Sequence, residues 1–159
     1  MGEARVDVGK LMTIIYRRMR HDECDEAAQL HRLVGRDAWA WTPDLTTLEQ
    51  EQAMYRDTVF AHCEVHGAFE GERLLGFIAT LPGWIEHFYV ATGRQRERIG
   101  TKLISIVMAA QSGLQLWTYQ ANQTTRRFYE RHGFVVAEMT DGTALPEKEP
   151  NVRYHWQRH

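Results

Sequence analysis

Between Trp84 and Tyr119 the sequence reads as strand, helix, strand, and no other stretch limits the available folds as much. WIEHFYV (84–90) is a strand-like run. Ile99, Leu103, Ile104, Val107 and Met108 then keep helical spacing, and LQLWTY (114–119) is strand-like again. The first strand reaches the helix through GRQRERIGTKL (93–103), which puts Gly100 in the helix's first turn. Glycine there costs about 1 kcal/mol relative to alanine. A helix N-terminus has unpaired N–H groups and the positive end of a dipole, so it is an anion site. At Gly100 no Cβ would hold a phosphate away from the backbone. Residues 94–102 add Arg94, Arg96, Arg98 and Lys102 against Glu97, a local balance of +3. The sequence has neither GxxxxGK[ST] nor GxGxxG, which disfavours a P-loop or a dinucleotide site.

The rest of the chain supplies a framework for that unit. Ile14 to Arg18 reads as a first strand, followed by a helix capped by His21 or Asp22 with Ala27, Leu30, Leu33 and Val34 on one face. Thr46 and Glu49 predict a capping box that opens a second helix running toward Phe60. Two strands should turn at Gly71 and Glu72. A helix over 122–133 should be capped by Asn122 and stopped by Gly133, and strands should follow at Phe134–Met139 and around YHW (154–156). This is one α/β domain over 13–159, preceded by a loose leader at 1–12 in which Met12 is an alternative start.

Composition excludes several classes. A chain of 159 residues can bury a core unaided. Its net charge of −2 argues against general nucleic-acid binding, and no apolar run reaches membrane-span length. Two cysteines, Cys24 and Cys63, make no disulfide framework, and Cys63 reads as core. The eight scattered histidines show no metal-ligand spacing, so no metal is expected and a reducing cytoplasm is the default. Residues 126–131 balance at +2. Residues 21–57 hold nine acids against three arginines, or −6, a slight lean toward a cationic partner.

NQTTRRFYERHGF (122–134) carries a resemblance. With Asn122, Thr125, Phe128, Tyr129, Gly133 and Phe134 in register, it is similar to the N-x-x-A-x-x-F-Y-x-x-x-G-F helix of the GNAT superfamily of acyl-CoA-dependent N-acyltransferases. Gln95 to Gly100 resembles that family's [Q/R]-x-x-G-x-[G/A] phosphate motif after the fourth strand. The ending TDGTALPEKEPNVRYHW looks like the tails of a bacterial subgroup. Two positions depart from the pattern: Arg98 stands for the first glycine and Thr125 for the alanine. The resemblance implies a mixed central sheet of six to seven strands flanked by about four helices. Strands four and five would be splayed to hold CoA.

The resemblance also implies roles. Acetyl would pass from acetyl-CoA directly to a primary amine, with Tyr129 protonating the departing thiolate. The backbone of Phe88, Tyr89 and Val90 and the side chain of Asn122 would hold thioester and pantetheine. Gln95, Arg96, Arg98, Ile99, Gly100 and Thr101 would hold the diphosphate, with Arg126 nearby. Strand 84–90 offers Glu86 and His87, and neighbouring strand side chains face opposite ways, so only one should reach the site. The resemblance favours Glu86 as the general base, four residues before Val90 where some relatives carry one, with His87 as runner-up. Trp39, Trp41 and Trp84 with His31 and His66 could wall the acceptor, a small-molecule amine or a peptide. No nucleic acid or membrane partner is implied, and a homodimer is left open. The rival readings are a protein N-terminal or lysine acetyltransferase and a non-catalytic acyl-CoA-binding module.

Overall fold

The computed structural model describes residues 13–38, 45–94 and 98–159. Seven strands form one sheet: β1 (Ile14–Arg18), β2 (Glu64–Glu70), β3 (Arg73–Leu81), β4 (Trp84–Val90), β5 (Gly113–Tyr119), β6 (Val135–Thr140) and β7 (Asn151–Gln157). Their order is β1-β2-β3-β4-β5-β7-β6. Every neighbouring pair is antiparallel except β4 and β5, which are parallel. The connection between those two is α3 (Ile99–Ala110), so the strand–helix–strand run of the sequence is a crossover unit.

The other helices are α1 (Cys24–Ala38), α2 and α4 (Gln123–Arg131). α2 starts as Leu48–Met54, widens into a π-helical segment at Tyr55–Val59 and closes with Phe60–His62. Two starts differ from the sequence reading. A 3₁₀ turn, His21–Glu23, leads into α1, and its cap is Arg20. The Arg20 N–H donates to the Glu23 carboxylate at 2.8 Å, and Arg17 forks onto the same carboxylate at 2.7 and 3.0 Å. Glu23, anchored by β1, therefore satisfies the helix start in place of His21 or Asp22. The second capping box uses Thr47 and Gln50, one residue later than expected. The Gln50 N–H donates to Thr47 Oγ1 at 3.1 Å, and the Thr47 N–H to Gln50 Oε1 at 2.8 Å. Two adjacent threonines followed by Glu49 and Gln50 satisfy the pattern in either register, so sequence alone could not separate them.

Each face of the sheet buries its own core. α1 and α2 cover one face with Ala27, Ala28, Tyr55, Val59, Phe69 and Phe77, and Cys63 packs at its margin. α3 and α4 cover the other with Ile78, Leu103, Ile104, Leu116 and Tyr154. The β3–β4 register sets which β4 side chains reach which core. Ala79 pairs with His87 and Thr80 with Ile85, so Glu86 is the extra residue of a β-bulge. The bulge resets the alternation. Ile85 and Phe88 join the α3–α4 core, while Tyr89 joins the α1–α2 core.

β4 and β5 meet at one register pair, Trp84 with Gln115, and the Gln115 N–H donates to the Gly83 carbonyl at 2.8 Å. Beyond that pair the ladder stops, and the sheet is open where β4 leads toward α3. Arg98, the N-cap of α3, sits there at φ +63° and ψ +24°. This is the left-handed region, which costs a non-glycine residue roughly 1–2 kcal/mol. Arg98→Gly should therefore raise the unfolding free energy by up to about 1 kcal/mol, the gain being trimmed by the flexibility of glycine in the unfolded chain. Urea unfolding checks this, and a lower midpoint would mean that the arginine side chain stabilises the turn.

Candidate active site

At the open end of the sheet, the first turn of α3 buries Ile99 and Gly100, and leaves Thr101 half-buried and Arg98 exposed. A Cβ on Gly100 would lie 3.4 Å from the Phe128 ring and 3.7 Å from the Phe88 ring. The missing side chain thus faces the rings of α4 and β4, and packing by itself does not demand a glycine. These are ordinary contact distances, with room for an alanine. Arg94 is not a free cation of the basic loop: it forks onto Glu70 of β2 at 3.0 and 3.4 Å. Gln95 and Arg96 lie outside the described residues.

α4 is placed by its cap and by a clamp beneath it. Asn122 Oδ1 accepts the Thr125 N–H at 3.3 Å. Arg126 donates from Nε to the Tyr154 hydroxyl at 2.9 Å and from Nη1 to the Gln120 carbonyl at 3.3 Å. Tyr154 donates onward to Glu130 Oε2 at 2.6 Å. The Arg126 guanidinium therefore ties α4 to β7 and to the exit of β5. Tyr129 is 5% exposed, and its ring lies 6.3 Å from that of Phe88 and 5.5 Å from that of Phe134. Burial raises the Tyr129 pKa well above that of an ordinary phenol, so it stays protonated at neutral pH.

On the α1–α2 side the opening widens into a cavity of about 1100 Å³. α1 and α2 contribute His31, Arg32 and Glu51 to its wall, β4 contributes His87 and Tyr89, and β5 contributes Trp117 and Tyr119. The loop between β6 and β7 contributes Asp141, Gly142 and Glu147. The His31 ring stacks on Tyr89 at 4.3 Å with 15° between planes, and its Nδ1 is 2.7 Å from the Tyr55 hydroxyl. Tyr55 is fully buried and its pKa is raised, so the phenol donates and Nδ1 accepts. That leaves the His31 Nε2–H facing Glu51 Oε1 at 3.8 Å, while Glu51 holds Arg32 at 2.6 Å. His87 lies 5.7 Å from His31 and 5.3 Å from Tyr55, ring to ring, and its buried Nδ1 has no hydrogen-bond partner among the described residues. Burial lowers the pKa of both histidines to about 4, helped by Arg32 at His31 and by His31 at His87. Burial also pushes Tyr89 far up, with the Tyr129 phenol adding to the effect.

Of the two carboxylate and imidazole candidates on β4, the cavity wall holds His87 and leaves out Glu86. Glu86 is exposed on the bulge, and its charge joins burial in raising the Cys63 thiol to about 11. His31 lines the cavity, whereas Trp84 and His66 do not, and Trp39 and Trp41 lie outside the described residues. Sequence reasoning passed over Glu51, Tyr55, Trp117, Tyr119 and Glu147. The alternation of LQLWTY held a signal: Gln115, Trp117 and Tyr119 share the face opposite the buried Leu114 and Leu116. Among the described residues, no group of three or more His, Cys, Asp or Glu side chains gathers as a metal site. No described helix is long and apolar enough to cross a membrane.

Residues 61–136, from the end of α2 into β6, match the family model of the acetyltransferase (GNAT) domain. The fold agrees. YjaB from Escherichia coli, in its apo form, is 16% identical with a TM-score of 0.75, covering 93% of this chain and 100% of that one. PaiA N-acetyltransferase from Thermoplasma acidophilum, in complex with coenzyme A, is 17% identical with a TM-score of 0.73, covering 92% and 99%. YncA from Salmonella typhimurium, with acetyl-CoA, is 15% identical with a TM-score of 0.70, covering 92% and 95%. No curated protein is similar in sequence at a significant level. The fold is therefore the GNAT fold, and residues 61–136 are similar to the GNAT acetyltransferase domain.

The two neutral histidines make stability depend on pH. Their folded pKa values lie below the unfolded value of 6.5, so the unfolded chain takes up protons first as the solution is acidified. The unfolding free energy should therefore fall between pH 6.5 and pH 4, and His87→Asn should flatten that fall. Urea titrations across the range check this, and an equally steep fall in the variant would overturn it.

Proposed function

We propose that this protein is an acyl-CoA-dependent N-acyltransferase that moves acetyl from acetyl-CoA directly to a primary amine within a ternary complex. The observation that carries the reading is the divergence of β4 from β5 after a single pair, with unlike surroundings on its two sides. The helix α3 N-terminus and the buried phenol of Tyr129 lie toward one side, and the cavity of about 1100 Å³ opens on the other. Thioester and amine would meet in the gap from opposite directions. The same divergence fits the CoA and acetyl-CoA complexes of PaiA and YncA, whose folds this chain shares.

In this reading the backbone of Phe88 to Val90 and the side chain of Asn122 orient the acyl-pantetheine arm. Arg98, Ile99, Gly100 and Thr101, with Gln95 and Arg96 before them, receive the diphosphate at the start of α3. Backbone N–H groups beside the Glu86 bulge would stabilise the tetrahedral oxyanion. Tyr129, kept protonated by burial, hands its proton to the sulfur as the C–S bond breaks. We assign the base to His87, which lines the cavity, ahead of Glu86, which does not. Once the C–N bond forms, the nitrogen proton is far more acidic than in the free ammonium ion. A neutral imidazole of low basicity is then a sufficient acceptor. Arg126 holds α4 in place through Tyr154 and Gln120.

The test is free-thiol release from acetyl-CoA across a panel of amines and peptides. A productive acceptor excludes an inert module, and its size decides between a small-molecule enzyme and a protein acetyltransferase. Tyr129→Phe should lower kcat by about 100-fold or more, the usual scale of general acid catalysis. Its acetyl-CoA affinity, read by calorimetry, should change only slightly. An unchanged kcat removes Tyr129 from the mechanism. In the same assay His87→Ala should lower kcat and Glu86→Gln should not; the reverse result would return the base to Glu86.

A further inference from the structure

The two ends of the cavity differ in charge. At the β4 end His31 and His87 are neutral, and Arg32 and Glu51 neutralise each other at 2.6 Å. At the other end stands Glu147, on the loop between β6 and β7. Its carboxylate is half-buried and takes only a long hydrogen bond from the Tyr119 hydroxyl, 3.4 Å. Among the described residues it has no cationic partner. The neighbouring groups are engaged elsewhere. Lys148 Nζ donates to the Thr143 carbonyl at 2.8 Å, and Asp141 accepts from the backbone and side chain of Thr143. Arg36, the other cation of the wall, is exposed on α1.

The loop that presents Glu147 is fixed in place. Gln120 Nε2 donates to the carbonyls of Thr140 and Asn151 at 2.9 and 3.0 Å, which ties together the two ends of the loop. Gly142 adopts φ +77°, and a Cβ there would fall 2.1 Å from the Glu149 carbonyl oxygen, so the loop crosses itself tightly. Beside Glu147, the Tyr119 phenol is raised to about 12 by burial and by that carboxylate, and is therefore protonated. Trp117 also lines this end, with its side chain 43% exposed. A half-buried carboxylate without a counter-charge, set among aromatic rings, is the chemistry that receives an organic cation.

Taking the cavity as the acceptor site proposed above, we infer that the acceptor carries a second positive charge. Beyond the amine that is acetylated it presents an ammonium or guanidinium group, held by Glu147 beside Tyr119 and Trp117. The size of the cavity agrees, since about 1100 Å³ exceeds what a short monoamine fills.

Long-chain linear α,ω-diamines, amino alcohols of equal length and the corresponding ω-amino acids form the test. The diamine should surpass the amino alcohol in kcat/KM by about tenfold, the scale of a charge-assisted hydrogen bond, and the ω-amino acid should be poorest. Glu147→Gln should bring the diamine and the amino alcohol toward parity. Calorimetric binding of the diamine to the wild type and to Glu147→Gln, in the presence of CoA, gives a readout that needs no turnover. Amino alcohol or ω-amino acid used as well as the diamine would sink the second charge and leave the acetyltransferase reading standing. Diamine binding that Glu147→Gln weakens, without any acetylation, would uphold the site and sink the transfer reaction proposed above. Diamine binding that Glu147→Gln leaves unchanged would overturn the inference.

Discussion

The one hydrogen bond from Gln115 to the Gly83 carbonyl marks where this sheet stops being continuous. Among the described residues β4 and β5 are the sheet's only parallel neighbours, joined by α3, and their one register pair is Trp84 with Gln115. Parallel pairing needs a crossover, so α3 has to begin where β4 ends and return the chain to the start of β5. That requirement brings a helix N-terminus to the open end of the sheet. β5 is held on its other side by seven register pairs with β7, so it cannot swing back to close the gap. The Arg126–Tyr154–Glu130 clamp fixes α4 to the same half. The opening is thus a consequence of topology, with the two halves of the sheet tied to different helices.

The bulge at Glu86 decides what each side of the opening contains. Without the extra residue, Ile85, His87 and Tyr89 would alternate onto one face. With it, Ile85 packs under α3, while His87 and Tyr89 turn toward α1 and α2. There they meet His31 and Tyr55, the latter on the π-helical segment of α2, where an extra residue per turn again shifts a side chain's direction. Two local irregularities therefore build one aromatic wall. Burial in this wall lowers the pKa of both imidazoles to about 4, and among the described residues the Nδ1 atom of His87 has no hydrogen-bond partner. Such a buried, unsatisfied nitrogen costs stability, and a native fold keeps it where a bound group can answer it.

The strands and the crossover were legible because their signals are periodic and local. β1 spans the residues expected, the turn at Gly71 and Glu72 joins β2 to β3, and Asn122 caps α4. The cavity was much less readable. Glu51, Tyr55 and Glu147 come from three separate segments, and only tertiary packing shows that Tyr55 reaches His31 or that Glu147 reaches Tyr119. Alternation says only that one of Glu86 and His87 reaches the site, and the preference for Glu86 rested on its position in the family resemblance. The exact place of the bulge, which sets the direction of each side chain, is not written in the sequence. The loop charge was misjudged for a similar reason, because Arg94 finds Glu70 across 24 positions of sequence.

Arg98 joins these lines of argument. The resemblance places a glycine at this position, and the structure supplies a reason in the residue's positive φ. An arginine that adopts the same conformation carries strain at the very turn proposed to receive the diphosphate. Arg94, four residues earlier, is neutralised by Glu70, so the loop has fewer free cations than its sequence suggests. Arg98 is exposed at the helix start and stands where a positive charge adds to the helix dipole. Strain and charge thus act in opposite directions at one residue. Glycine would ease the turn and remove a cation, whereas arginine keeps the cation and carries the strained backbone. Arg98 thus keeps a charge at the proposed anion site at some expense to the stability of the turn.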